Sequence, residues 1–142
     1  MESYMNRISN TGIVPVVKIL EKEDAYPLAK ALLNGGIDVI EVTYRSEHAT
    51  SAIQTISEQL PDMLVGAGTV LSVEQAKEAV EAGAKFIITP GFNTKVVQWC
   101  LDHDVEVYPG VSTASEVEMA LSMGLTQLKF FPAESSGGAK KL

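Results

Sequence analysis

Six short apolar runs, spaced almost evenly, constrain the fold of this chain more than any other feature. They cover residues 13–20, 37–43, 63–65, 85–89, 105–108 and 127–131, and they are rich in β-branched side chains, so each reads as a strand. Their starts are separated by 24, 26, 22, 20 and 22 residues, which is room for one helix and two turns. Helical periodicity fills the gaps, as in Ala25, Leu28, Ala29, Leu32 and Leu33, and again in Ala49, Ala52, Ile53, Ile56 and Leu60. Cap signals agree with this division. Ser72 with Gln75, and Thr113 with Glu116, fit the capping box at a helix start. Glycines stand before the next strand at Gly35-Gly36, Gly83 and Gly124, where a helix C-terminus needs a left-handed residue.

Alternating strands and helices, with strands too apolar to face water, imply a parallel sheet covered by helices. An open doubly wound sheet and a (β/α) barrel both satisfy this, and the even spacing favours the barrel. At about 23 residues per unit, eight units need about 185 residues, and complete barrels start near 200. The chain has 142 residues. The expected fold is therefore α/β, a TIM-type (β/α)8 barrel with about six βα units, residues 1–142 forming one incomplete barrel domain.

Charge and cysteine usage narrow the function classes. A net charge of −7, from 18 acidic and 11 basic side chains, offers no basic stripe for nucleic acid. No apolar run approaches the length of a membrane span, and the first ten residues are too polar for a signal peptide. The single cysteine, Cys100, cannot pair within the chain and suits a reducing cytoplasm. His48 and His103 lack metal-ligand spacing, so neither a metal nor another cofactor is expected.

In parallel-sheet folds ligands sit beyond the carboxyl ends of the strands. The second strand ends Ile40-Glu41-Val42-Thr43-Tyr44-Arg45. Alternation puts Glu41, Thr43 and Arg45 on one face and Ile40 and Val42 on the other. A carboxylate inside a strand is costly unless paired or used. Glu41 is therefore either half of an ion pair with Arg45 or an acid/base beside a cation that receives an anionic substrate. The sixth strand reads Gln127-Leu128-Lys129-Phe130-Phe131-Pro132, with Lys129 between apolar neighbours and on the face of Phe131. Desolvation disfavours an ammonium, which is one way a lysine becomes a nucleophilic amine at neutral pH. Equally, Lys129 could guard an edge strand or extend outward to water. The third strand runs into Gly66-Ala67-Gly68-Thr69, where glycines let a substrate approach and Thr69 offers a hydroxyl at the rim. This is no dinucleotide fingerprint, since the third glycine and its acidic partner are missing. Thr89-Pro90-Gly91 and Pro109-Gly110 read as rigid loops ending the fourth and fifth strands.

Taken together, Glu41-Val42-Thr43-x-Arg45, Gly66-Ala67-Gly68-Thr69-Val70, Thr89-Pro90-Gly91, Pro109-Gly110-Val111-Ser112-Thr113 and Lys129-Phe130-Phe131-Pro132-Ala133-Glu134 resemble the 2-keto-3-deoxy-6-phosphogluconate / 4-hydroxy-2-oxoglutarate (KDPG/KHG) aldolase family. The resemblance runs from about Gly12 to the last residue, in order. It implies a metal-free class I aldolase, a carbon-carbon lyase that forms a trimer and releases pyruvate from a 2-keto-4-hydroxy acid. It further implies Lys129 as the Schiff-base residue and Glu41 as the general acid/base. Arg45 and Thr69 would hold the substrate carboxylate, and Pro90 and Phe131 would pack around the pyruvyl group. The expected partners are a small keto acid and further copies of the chain. Family members continue through a sixth helix, two more strands and glycine-rich phosphate-binding loops, whereas this sequence ends near the start of that helix. Two expectations follow from that comparison: an active aldolase, or a catalytically impaired remnant that keeps the pyruvate site and lacks the phosphate site. Another small-molecule enzyme on a phosphate-binding barrel is disfavoured, because such enzymes have no need of this lysine and glutamate together.

Overall fold

A computed structural model describes residues 3–142. Six parallel strands lie in chain order: β1 (Val16–Val17), β2 (Val39–Thr43), β3 (Leu64–Gly68), β4 (Phe86–Thr89), β5 (Glu106–Val111) and β6 (Lys129–Phe130). Five helices follow the first five strands: α2 (Ala25–Asn34), α3 (Ala49–Gln59), α4 (Val73–Glu81), α5 (Thr94–Asp102) and α6 (Ala114–Ser122). Each connection returns to an adjacent parallel strand, the βα repeat that the spacing predicts. Thr113 and Glu116 form a complete capping box on α6. At α4 the box is only half made: Ser72 accepts from the Gln75 N–H, but the Gln75 side chain turns to the Leu71 N–H instead.

The two faces of the sheet carry two apolar clusters. Ile40, Val42, Val65, Ala67, Ile87 and Val107 pack outward against the helices. Val39, Leu64, Phe86, Ile88 and Tyr108 pack inward. Register confirms the alternation, since Glu41 pairs with Gly66, Gly66 with Phe86, and Phe86 with Glu106. Side chains at paired positions in a parallel sheet share a face, so Glu41 and Thr43 point inward with this second cluster.

A helix absent from the sequence reading, α1 (Tyr4–Thr11), closes the amino end of the interior. Ser3 caps it by accepting from the Met5 N–H, and Gly12 ends it at φ 75°. Tyr4, Met5 and Ile8 pack against the inward cluster. Polar ties hold the helix in place. The Arg7 guanidinium donates to the Asp38 carboxylate at 2.8 Å, Thr11 donates to the same group at 2.6 Å, and the Tyr4 N–H donates to Glu106 at 2.8 Å. The Thr11 hydroxyl and the Arg7 guanidinium hold the Asp38 carboxyl below its usual range.

Strand lengths differ from the sequence reading in both directions. β3 runs through Gly66-Ala67-Gly68, and β5 continues through Pro109-Gly110, where the sequence predicts a rigid loop. These glycines are places of close approach inside the sheet. A Cβ at Gly66 would overlap the Phe86 ring, and one at Gly110 would overlap the Pro90 carbonyl. β1 and β6 are shorter than expected, two residues each. Each pairs on one side only, and Pro15 and Pro132 beside them have no N–H to extend a ladder.

Gly110→Ala provides a test of this packing. The obstructing atoms are backbone and cannot swing aside, so the substitution is expected to cost ~3 kcal/mol. In a thermal melt that is a fall of roughly 10 °C.

Candidate active site

The carboxyl ends of β2, β3 and β6 bring the candidate residues together. Lys129 begins β6 and Glu41 is the third residue of β2, four strands away. Strands lie about 4.8 Å apart, so a flat sheet would separate their backbones by about 19 Å. Yet the Lys129 Nζ is 3.8 Å from Glu41 Oε1. The sheet must therefore curl so that β6 faces β2 across an interior, the curvature of a barrel wall.

Glu41 is the buried member, with its side chain 3% exposed, while Lys129 is 27% exposed. Burial pushes the Glu41 carboxyl above its ordinary range, and the cations of Lys129 and Arg45 only partly offset this. Its Oε1 is buried and accepts no hydrogen bond among the described residues. A carboxyl in this state exchanges a proton more readily near neutrality than a solvated one. Lys129 is less enclosed than its apolar neighbours in sequence imply, because Leu128 and Phe130 point away from the interior and line a separate groove behind β6. Its ammonium position lies 4.9 Å from the centre of the Phe131 ring, itself 44% exposed. The nitrogen turns inward, which disfavours the edge-guarding alternative.

Arg45 does not form the ion pair with Glu41 that its sequence position allows. Its Nε donates to Thr43 Oγ1 at 3.2 Å, and the Thr43 hydroxyl donates in turn to the Val17 carbonyl at 2.7 Å. Thr43 is fully buried and Arg45 is exposed. Thr69 follows β3 at the same end with φ 52°, unusual for a β-branched residue and costing of order 1–3 kcal/mol. Thr89 donates to the Gly91 carbonyl at 2.7 Å and tightens the turn that holds Pro90. Pro90 also lines a cleft of about 570 Å³ with Leu71, Asn93 and Lys95, which includes neither Glu41 nor Lys129.

Two contributions to this site escaped the sequence reading. Gly68, read as room for a substrate, is occupied by protein: a Cβ there would overlap Glu41 Oε1 and lie 2.6 Å from its Cγ. The glycine is the slot in which the carboxylate rests. The acceptor role of Thr43 was also missed, although its shared parity with Arg45 was a usable signal. Among the described residues no group of three His, Cys, Asp or Glu could hold a metal ion, and no helix is long and apolar enough to cross a membrane.

The sequence model of the KDPG and KHG aldolases matches residues 4–142. The chain belongs to the KDPG and KHG aldolase family. Within it, the chain is 48% identical over 138 residues to the 2-dehydro-3-deoxy-phosphogluconate aldolase of Treponema pallidum, covering 97% of this chain and 66% of that protein. The KHG/KDPG aldolase of Escherichia coli K12 is 45% identical, covering 95% of this chain and 64% of that one. The chain thus spans just under two thirds of the length of these curated relatives. A KDPG aldolase from Legionella pneumophila, solved with pyruvate captured as a covalent carbinolamine intermediate, superposes with a TM-score of 0.86 at 43% identity, covering 89% of this chain and 61% of that one. The six-stranded fold described above is a partial TIM-type barrel.

Proposed function

We propose that this chain supplies the chemistry of a class I aldolase, cleaving a 2-keto-4-hydroxy acid to pyruvate and an aldehyde. The substrate would be 2-keto-3-deoxy-6-phosphogluconate, giving glyceraldehyde 3-phosphate, or 4-hydroxy-2-oxoglutarate, giving glyoxylate. The observation that carries this reading is the 3.8 Å approach of Lys129 Nζ, across the sheet interior, to a buried Glu41 oxygen that accepts no hydrogen bond among the described residues.

The Lys129 amine attacks the C2 ketone, and the carbinolamine loses water to an iminium. The iminium accepts the electron pair of the C3–C4 bond as that bond breaks, leaving an enamine and an aldehyde. Protonation of the enamine at C3 and hydrolysis then release pyruvate and return the amine. Glu41, 3.8 Å from the Lys129 nitrogen, would move these protons: it assists loss of water, takes the C4 hydroxyl proton and returns a proton to C3. Arg45 presents a planar fork suited to a carboxylate, with the Thr69 hydroxyl at the same rim. Phe131 and Pro90 supply apolar walls. Arg45, Thr69, Pro90 and Phe131 each follow the carboxyl end of a strand, on the side where Lys129 and Glu41 meet.

The aldolase would work in the cytoplasm as a homo-oligomer, a trimer as the family resemblance implies. Ile13, Val16 and Leu20 around β1 are each more than half exposed, which leaves an apolar sheet edge open to association. Support for the compartment comes from Cys100, a buried free thiol.

Enamine formation can be tested without any aldehyde. In deuterated water the protein is expected to wash the methyl protons out of pyruvate, followed by loss of the methyl proton signal. Exchange no faster than the buffer background, from folded protein, would overturn the reading.

A further inference from the structure

We infer that Thr43 is a positioning residue that fixes the Arg45 guanidinium for a substrate carboxylate. This inference rests on the aldolase reading and adds to it the device that orders an otherwise mobile side chain. Arg45 is exposed and carries a long flexible stem, so ordering it at the moment of binding would cost conformational entropy. Thr43 removes part of that cost in advance. Its hydroxyl proton is committed to the Val17 carbonyl at 2.7 Å, so the oxygen faces Arg45 with lone pairs only. The Arg45 Nε donates to it at 3.2 Å. Neither Arg45 Nη has a protein partner among the described residues, which leaves the two terminal N–H pairs free to take a carboxylate side by side. The chain of bonds runs from the β1 backbone through a buried hydroxyl to the exposed guanidinium. Thr43 touches no substrate in this arrangement and acts through Arg45.

The test uses cyanoborohydride trapping on Lys129 of two carbonyl compounds, pyruvate and hydroxyacetone, the second lacking a carboxylate. Thr43→Val keeps the shape and removes the acceptor. It is expected to raise the pyruvate concentration for half-maximal trapping about tenfold, the effect of losing one charge-assisted hydrogen bond, with the hydroxyacetone value unchanged. Thr43→Ser, which keeps the hydroxyl, is expected to restore pyruvate trapping. A purely structural role, holding β1 through Val17, would weaken both compounds alike, and that result overturns the inference. Should Thr43→Val fail to fold, Thr43→Ala, which removes the acceptor and the branched bulk together, serves instead. The same selective loss for pyruvate is expected, and an unchanged half-saturation overturns the inference. Absence of any adduct in the parent protein removes the aldolase reading and this inference with it, whereas parental trapping that Thr43→Val leaves unaltered removes the inference alone.

Discussion

Glu41→Gln is expected to slow deuterium exchange of pyruvate by about 10²–10⁴-fold, the usual contribution of a positioned general acid or base, while making the folded chain more stable at pH 8. The two effects have one cause. Glu41 is almost fully buried, its Oε1 has no hydrogen-bond partner among the described residues, and burial holds its carboxyl above the ordinary range. The folded state therefore binds this proton more tightly than the unfolded state does. The stability linked to that proton is fully present below the unfolded glutamate value and is lost as pH rises through the raised folded value. Glutamine cannot ionise and is spared this loss. The stability difference between Glu41→Gln and the parent should accordingly grow from acid to alkaline pH. Asp38, whose carboxyl is held low by Thr11 and Arg7, shifts stability in the opposite direction but equally in both proteins. Paired thermal melts at pH 5 and pH 8 check the claim, and identical pH slopes for parent and variant would contradict it.

Gly68→Ala is expected to cost about 100-fold in the same exchange assay with little change in melting temperature. The added Cβ would overlap the Glu41 carboxylate rather than a backbone atom, and a flexible side chain yields where a rigid carbonyl does not. The strand can stay in place while the carboxylate moves by an ångström or more. Displacements of that size are enough for a loss of this order. The contrast with Gly110→Ala separates the two glycines, since the first should lose turnover and keep the fold while the second should lose stability. The double variant Gly68→Ala with Glu41→Gln decides whether the effect passes through the carboxylate. If it does, the double variant exchanges no more slowly than Glu41→Gln alone. A multiplicative loss would place the role of Gly68 elsewhere.

Much of this architecture is legible in the sequence because it depends on local period. The βα alternation follows from the spacing of apolar runs, and the inward aspect of Glu41 and Thr43 follows from strand parity. The features that were missed depend on partners distant in the chain. Gly66 and Gly68 carry the composition of strand breakers, and only the neighbouring Phe86 and Glu41 side chains turn them into strand interior. The helix Tyr4–Thr11 is polar on its outer face, and its apolar residues find their partners on β2 to β5. The meeting of Lys129 with Glu41 is a property of sheet curvature, which no single segment encodes. For Arg45 the sequence left two partners open. The structure places its Nε on Thr43, two residues away on the same face.

The central claim, that Lys129 forms a Schiff base with pyruvate beside Glu41, is tested most directly by borohydride reduction of the protein with pyruvate and peptide mass mapping. One reduced pyruvyl adduct is expected, confined to Lys129 and lost in Lys129→Ala. A folded protein that gives no adduct, or one whose adduct survives Lys129→Ala on another lysine, would contradict the account.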